Sequence, residues 1–165
     1  MFKNRMNPER GQIDWESEFG EALTEHALLS QNIVEIGAWH GEGSTVCLAK
    51  GMILSTQRMW CLEQDPTRWL EASRFHTDPR IKFLNEVASE AVDQLPQRID
   101  LILFDGGDES TDLEFDLLYS RCRGFIALDD INERKNRRQF AALKILRPII
   151  RECHYDRNGW AIFGS

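Results

Sequence analysis

Residues 32–45 read NIVEIGAWHGEGST, a short apolar run that carries one acid and then enters a turn spaced by glycines. The residues that follow, from Gly43 onward, favour a helix. This order is typical of a strand, a ligand-binding loop and a helix whose first backbone amides point at the ligand. The segment therefore predicts the first βα unit of a nucleotide-binding α/β domain.

The spacing of the glycines narrows the choice of ligand. A dinucleotide fingerprint needs the pattern G-x-G-x-x-G, but bulky Trp39 stands where its second glycine would let the backbone approach a pyrophosphate. A NAD-binding protein is therefore a weak alternative. The pattern present is Glu35-x-Gly37-x-x-x-Gly41, and an acid before the first glycine can pair with the ammonium group of an amino acid. These residues favour a nucleoside ligand that carries an amino acid, such as S-adenosylmethionine.

Length and composition set limits on the class of protein. The 165 residues suit one domain, and we expect a flexible arm at residues 1–14 followed by a single domain at residues 15–165. The 20 basic and 27 acidic residues give a net charge of −7, which disfavours nucleic acid and anionic membranes and favours a small-molecule partner. The four cysteines are scattered, which favours reduced thiols, and no apolar run is long enough to span a membrane. We therefore expect a cytoplasmic protein.

Apolar patterns along the chain predict strands that alternate with helices. The predicted strands are residues 33–36, 59–63, 81–85, 101–104 and 125–128. The predicted helices are residues 14–29, 43–50, 67–75, 89–94, 113–121 and 134 to about 150. Such alternation predicts an α/β fold with a doubly wound parallel sheet covered on both faces. Asn158-Gly159 lies between two short apolar runs, so an antiparallel hairpin is expected to end the sheet.

Five βα units, a closing hairpin and the Glu35-x-Gly37-x-x-x-Gly41 motif together resemble the Rossmann-like methyltransferases that depend on S-adenosylmethionine. Within them, the chain is most similar to the small O-methyltransferases, over residues 33–163. The resemblance implies seven residues that bind the cofactor: Glu35, Gly37, Ala38, Gly41, Glu63, Glu86 and Asp105.

Two of these acids have specific expected roles. Glu63 ends the second predicted strand, where the resemblance implies that its carboxylate accepts hydrogen bonds from both ribose hydroxyls. Glu86 follows the third strand and would accept from the adenine amino group. The alternatives are a solvated acid at a strand end for Glu63 and an acid favoured by a helix N-terminus for Glu86.

Asp105 ends the strongly apolar fourth strand and would face the transferable methyl group. The family often has Asp-Gly-Asp-His at this place, whereas this chain continues with Gly107 and Asp108 and lacks the histidine. The resemblance therefore implies Asp105 and Asp108 as the catalytic candidates. Asp108 would replace the histidine as general base, although an ordinary aspartate is a weak base at neutral pH.

Asp129 and Asp130 end the fifth strand, where some O-methyltransferases have an Asp-Asn pair. With Asp105 they would offer oxygen ligands to a magnesium or calcium ion, which would lower the pKa of an acceptor hydroxyl. The alternative is that Asp129 or Asp130 caps the following helix.

The long predicted helix begins with a basic cluster of Arg134, Lys135 and Arg138. Such charges usually form a solvated face, and the alternative is that they recognise an anionic group of the substrate.

The resemblance implies a methyltransferase that transfers a methyl group from S-adenosylmethionine to a small molecule, at oxygen. The competing hypothesis is a binding module or partner subunit that has the same fold and does not catalyse. The missing histidine and a length close to the minimum for the fold favour this alternative. A homodimer is also compatible with the sequence.

Overall fold

The computed structural model of the protein describes residues 13–107, 110–147, 149–155 and 158–164. The described elements are α1 (Glu18–Leu28), β1 (Asn32–Ile36), α2 (Ser44–Gly51), β2 (Arg58–Leu62), α3 (Pro66–Phe75), β3 (Ile81–Leu84), α4 (Ala88–Ala91), β4 (Ile99–Phe104), α5 (Thr111–Leu118), β5 (Cys122–Asp129), α6 (Arg134–Leu146), β6 (Ile150–His154) and β7 (Trp160–Phe163). Most of the predicted arm, residues 1–12, lies outside the described residues.

The seven strands form one sheet in the order β3-β2-β1-β4-β5-β7-β6. Strands β1 to β5 pair in parallel, whereas β7 pairs antiparallel with both β5 and β6. The doubly wound, mostly parallel sheet with a closing antiparallel hairpin is therefore confirmed. The strand order reverses between β1 and β4, and open α/β sheets bind ligands beside such a reversal, at the carboxyl ends of the strands.

The end of the last helix differs from the prediction. The helix was expected to reach about Ile150, but α6 ends at Leu146 and Ile150 is the first residue of β6. The sequence has Pro148 between them, and a proline lacks the amide hydrogen of a helix and disfavours helical geometry in the residue before it.

The closing hairpin was predicted correctly. His154 pairs with Trp160, so Asn158 and Gly159 belong to a loop longer than two residues, and of these two only Gly159 has a positive φ, at 74°. A two-residue Asn-Gly turn, in which both residues have positive φ, is therefore not formed.

Two apolar cores cover the two faces of the sheet, because successive residues of a strand point to opposite faces. Leu101 and Leu103 of β4 pack in the core formed with α1 and α2. Ile102 and Phe104 of the same strand pack in the core formed with α4, α5 and α6. Helices on both faces hold the parallel strands in register, so the loops at their carboxyl ends meet at one edge.

Within the residues that the structure describes, every helix is too short or too polar to cross a lipid bilayer.

Candidate functional site

The carboxyl ends of the parallel strands open onto a cleft of about 280 Å³. Seven of the residues predicted from the sequence line it: Gly37, Ala38, Glu63, Glu86, Asp105, Asp129 and Asp130. Glu35 and Gly41, which were also predicted to bind the cofactor, are not part of its wall. Asp108 lies outside the described residues. The fold therefore brings together acids that end four different strands or begin the loops after them.

The glycine loop after β1 lies directly against the end of β4. Gly37 has a φ of +89°, and a Cβ atom there would clash with the backbone carbonyl of Asp105. The amide groups of Gly37 and Ala38 donate to the carbonyl of Leu62 at 2.9 and 3.1 Å, which ties the loop to β2. A glycine is therefore needed at position 37, because the loop turns through positive φ while touching two strands.

Glu35 is fully buried and faces the start of α2. Its two carboxylate oxygens accept hydrogen bonds from Ser44 Oγ at 2.6 Å and Thr45 Oγ1 at 2.7 Å. Burial raises the pKa of Glu35, and these hydroxyl bonds oppose the rise. A further side-chain hydrogen bond joins Glu35 to Cys61 of β2. Glu35 thus holds the start of α2 against the sheet and does not itself line the cleft.

Gly41 also supports the loop from behind. It has a φ of +76°, and a Cβ atom there would approach the Cβ of Ala72 in α3 at 3.0 Å. Its carbonyl lies 2.6 Å from Nε2 of His76. The second glycine of the motif therefore lets the loop pack against α3.

Glu63 joins the glycine loop to the end of β2. Its side chain is buried, and its carboxylate accepts from the amide of Trp39 at 2.8 Å and from the amide of Asp65 at 2.9 Å. A carboxylate has about four acceptor positions, so two backbone amides leave capacity for further donors. Because Glu63 also lines the cleft, this remaining capacity is available to a ligand with hydroxyl groups.

Glu86 lies farther along the cleft, after β3. Gln94 Nε2 donates to its two carboxylate oxygens at 3.0 and 2.8 Å. The helix that follows, α4, has Val87 as its N-terminal cap and no side-chain cap hydrogen bond. Glu86 directly precedes this cap, so its favourable position near the helix N-terminus stays a prediction, and its carboxylate is held at the cleft wall by Gln94.

Trp39 provides a flat wall that the sequence did not predict. It lines the cleft together with Arg68, whose guanidinium carbon lies 3.4 Å from the centroid of the Trp39 ring. The indole is 44% exposed, so part of its surface is free for a ligand. The neighbouring His40 instead pairs with Glu71, with 2.5 Å between Nδ1 and Oε2, and is not part of the cleft wall.

Three carboxylates converge at the ends of β4 and β5. Oxygens of Asp105, Asp129 and Asp130 lie within 4.8 Å of one another. Lys135 lies with them, since its Nζ donates to Oδ1 of Asp105 and, at 3.0 Å, to Oδ2 of Asp130. Helix α6 has Glu133 as its N-terminal cap residue, without a side-chain hydrogen bond. The capping role considered for Asp129 or Asp130 is therefore absent from the structure.

Burial and charge shift the pKa values of this cluster. Burial raises the pKa of Asp105 to about 6, although the ammonium of Lys135 opposes the rise. Burial also raises the pKa of Asp129 to about 7, and the charges of Asp105 and Asp130 add to it. Burial lowers the pKa of Lys135, but the charges and hydrogen bonds of Asp105 and Asp130 outweigh burial and raise it above its usual range. Lys135 is therefore a cation at neutral pH.

Of the three basic residues that begin the long helix, only Lys135 lines the cleft. Arg134 is exposed, and Arg138 is 60% exposed and pairs with Asp112 at 3.1 Å. The solvated face predicted for this cluster is thus correct for the two arginines, whereas the lysine between them turns inward.

Glu114 of α5 is a cleft residue that the sequence analysis did not identify. It is only 5% exposed and lines the cleft, and among the described residues its Oε2 has no hydrogen-bond partner. A Cβ atom on Gly106 would lie 2.6 Å from this oxygen, so the glycine leaves room for the carboxylate. Burial raises the pKa of Glu114. The sequence predicted a helix here but gave no signal for the face on which Glu114 lies.

A second cavity of about 160 Å³ adjoins the carboxylate cluster. It shares Asp129, Asp130 and Ile13 with the main cleft. On its far side it is lined by Phe19 and Trp160, whose rings stack with centroids 4.6 Å apart. The two cavities therefore meet at Asp129 and Asp130 of the carboxylate cluster.

Comparison with known proteins gives a family for this fold and cleft. A family model described as "Methyltransferase domain" matches residues 34–131, which span β1 to the loop after β5. No curated protein matches the chain significantly.

Solved structures share the fold at low sequence identity. The O-methyltransferase from Bacillus cereus in complex with SAH is 19% identical with a TM-score of 0.72, and the alignment covers 95% of this chain and 85% of that one. A putative O-methyltransferase from Klebsiella pneumoniae is 18% identical with a TM-score of 0.72, covering 92% and 81%. The O-methyltransferase TomG from Streptomyces achromogenes, in complex with SAM, is 13% identical with a TM-score of 0.69, covering 93% and 82%.

Proposed function

Because the chain belongs to the methyltransferase-domain family, we propose that it transfers a methyl group from S-adenosylmethionine to an oxygen atom of a small molecule. The observation that carries the proposal is the cleft, where the glycine loop, Glu63 and Asp105 meet at the ends of three neighbouring strands. Family membership supports the reaction class. Similar structures that are O-methyltransferases support oxygen as the methylated element.

The residues of the main cleft suit S-adenosylmethionine. When bound, this cofactor supplies a methyl group on a positively charged sulfur. Glu63 has acceptor capacity for the ribose hydroxyls, and the exposed face of Trp39 lies beside it. Asp105 and Glu114 put carboxylates at the same cleft, and carboxylates favour a ligand that carries an ammonium group. Glu35 and Gly41 contribute by holding the loop and α2 in position.

The second cavity is the proposed site of the acceptor. It opens at Asp129 and Asp130, so an acceptor held there would present its oxygen to the carboxylate cluster beside the cofactor cleft. Its volume of about 160 Å³ suits a small molecule. The net charge of −7 argues against nucleic acid or an anionic membrane as the partner. The homodimer stays a prediction.

Binding of the cofactor product tests the first part of the proposal. S-adenosylhomocysteine at about 100 times its Kd should raise the free energy of unfolding by about 2.7 kcal/mol, which thermal melts can measure. Glu63→Gln replaces one acceptor oxygen by a donor, and it should weaken binding at least tenfold. Glu25→Gln is the matched control, because Glu25 is an exposed acid of α1 that does not line the cleft.

No melting shift with millimolar S-adenosylhomocysteine or S-adenosylmethionine would contradict cofactor binding altogether. If Glu63→Gln kept full affinity for S-adenosylhomocysteine, the protein would still bind the cofactor. The hydrogen bonds proposed between Glu63 and the ribose hydroxyls would then be contradicted.

A non-catalytic binding module remains the second candidate, because the histidine expected after Asp105 is absent from the sequence. A measurement of turnover distinguishes the enzyme from the binding module. The protein is mixed with S-adenosylmethionine and a panel of phenols, carboxylates and sugars. With at least one of these acceptors it should form S-adenosylhomocysteine faster than it does without an acceptor. Tight cofactor binding without turnover in a broad panel would favour the binding module.

A further inference from the structure

The three carboxylates at the ends of β4 and β5 invite comparison with a divalent-metal site, since magnesium and calcium prefer carboxylate oxygens. The structure places a cation there already. Nζ of Lys135 contacts Asp105 and Asp130, and its side chain is only 11% exposed. A divalent ion bound to these carboxylates would lie against the ammonium and be repelled by it. The residues present therefore do not fit the metal considered from the sequence.

The position of Lys135 is fixed by the first turn of α6. The next residue, Asn136, is fully buried, and its Nδ2 donates to the carbonyl of Phe104 at 3.0 Å and to the carbonyl of Asp129 at 2.6 Å. These two carbonyls belong to the last residues of β4 and β5. The helix is thus attached to the same strand ends that carry the acids, so the ammonium is held among them by the fold.

The ammonium also retains capacity for a ligand. A lysine has three N–H donors, and among the described residues two of them have partners, Asp105 and Asp130. Lys135 lines the main cleft and not the second cavity, whereas Asp129 and Asp130 line both. The third donor of Lys135 is therefore available to an oxygen atom that reaches the main cleft past these two acids. An ammonium favours the ionised form of such an oxygen, as a metal ion would.

We propose that Lys135 is a built-in cation that replaces a divalent metal among Asp105, Asp129 and Asp130, and that it binds the acceptor oxygen in a metal-independent methyl transfer. The acceptor hydroxyl, ionised beside the ammonium, gives up its proton to solvent. Its oxygen then bonds to the methyl carbon as the bond from that carbon to sulfur breaks, and S-adenosylhomocysteine is the leaving group. The role in methyl transfer rests on the proposed function. The replacement of the metal rests only on the carboxylate and lysine positions. The two parts are therefore tested by different measurements.

Manganese binding tests the replacement without any need for activity. In an electron paramagnetic resonance titration, the wild-type protein should leave Mn²⁺ free at millimolar concentration. Lys135→Met introduces an unbranched, uncharged side chain that is one atom shorter than lysine, so the three carboxylates should then bind Mn²⁺ at least tenfold more tightly. Lys135→Met combined with Asp130→Asn should lose this gained binding, while Lys135→Arg should leave Mn²⁺ free like the wild type.

Wild-type binding of Mn²⁺ that Asp105→Asn abolishes would overturn the proposal, and this comparison does not depend on the folding of a lysine variant. A folded Lys135→Met protein, checked by circular dichroism, that gains no Mn²⁺ affinity would overturn it as well.

Turnover tests the role in the reaction. With an acceptor found in the panel, the wild-type rate should be unchanged by EDTA or added Mg²⁺, whereas Lys135→Met should lower kcat more than it changes the KM for S-adenosylmethionine. A wild-type rate abolished by EDTA would contradict the proposal. Absence of cofactor binding would instead contradict the proposed function, and the Mn²⁺ titration would still decide whether the lysine replaces a metal.

Discussion

At the scale of single residues, Glu35 shows how a buried carboxylate can serve a site without lining it. Its two oxygens accept hydrogen bonds from the hydroxyls of Ser44 and Thr45 at the start of α2. Taking the ionised carboxylate out of water is unfavourable, and hydrogen bonds recover part of the cost. The pKa of Glu35 is raised, so burial outweighs these bonds. The protein thus keeps this acid at some cost in stability at neutral pH.

Glu35→Gln should reveal that cost as a pH dependence. The pKa of Glu35 is above 4.5 in the folded state, so the folded state binds more protons than the unfolded state between these two values. The contribution of Glu35 to stability therefore falls as pH rises through this window. The unfolding free energy of Glu35→Gln minus that of the wild type should increase from pH 4 upward, by about 1.4 kcal/mol per unit of pKa shift, and then level off.

Urea denaturation at several pH values between 4 and 8 measures this difference, in which the other titrating groups largely cancel. A flat difference for Glu35→Gln would mean that burial does not dominate the pKa of Glu35.

At the residue scale the sequence also missed Glu114, and it favoured a solvated face for Lys135 over the inward position that the structure gives this residue. Glu114 and Lys135 lie in two helices that were both predicted, although the second of them ends earlier than expected. Which side chain of a helix reaches a cleft depends on how the helix is rotated against the sheet. That rotation is set by packing of distant residues, such as Asn136 on the carbonyls of Phe104 and Asp129.

At the scale of elements, α1 and α2 approach each other closely at Gly51. A Cβ atom there would clash with the carbonyl of Thr24 and would lie 2.6 Å from the Cβ of Ala27. These two helices cover the face of the sheet behind the glycine loop, and α2 also carries the hydroxyls that hold Glu35. The glycine that ends α2 therefore lets α1 and α2 pack closely against each other.

Gly51→Ala should lower the unfolding free energy by about 1–3 kcal/mol, because the added methyl group forces the two helices apart. Gly107→Ala is the matched control, since its nearest neighbour would be Ser110 Oγ at 3.8 Å. Urea denaturation of both variants makes the comparison. Equal stability of Gly51→Ala and the wild type would show that α1 shifts without cost.

At the scale of the whole molecule, β7 connects the two cores. Ala161 and Phe163 belong to the core with α4, α5 and α6, whereas Trp160 and Ile162 belong to the core with α1 and α2. The strand lies between β5 and β6, so it is an inner strand although it is the last along the chain. Its residues are all buried, and the stack of Trp160 on Phe19 also forms a wall of the second cavity.

Phe163→Ala should therefore lower the unfolding free energy by about 3–5 kcal/mol, the usual cost of a large aromatic side chain removed from a core. The ring is fully buried and contacts Phe140 of α6, with centroids 5.8 Å apart. Ile53→Ala is the control, since Ile53 is 68% exposed and should change the stability little. The urea midpoints of the two variants measure these changes, provided that the dependence of unfolding free energy on urea concentration is unchanged. A loss of unfolding free energy below 1 kcal/mol in Phe163→Ala would contradict the role of β7.

The amino-acid sequence by itself determined the order of strands and helices, the glycine loop and the acids at the strand ends. Residues close along the chain carry those signals: apolar periodicity, the spacing of Gly37 and Gly41, and the Asn158-Gly159 dipeptide. One local signal, Pro148, was overlooked, and it explains why α6 stops at Leu146 rather than Ile150.

Only the tertiary structure decided which partners meet at the site. It placed Lys135 between Asp105 and Asp130, and it turned Glu35 toward α2 and away from the cleft. Residues 105 and 135 are joined by no periodic pattern. Their contact depends on the twist of the sheet and on the packing of α6 across β4 and β5. This packing brings the two backbone segments close enough for their side chains to meet.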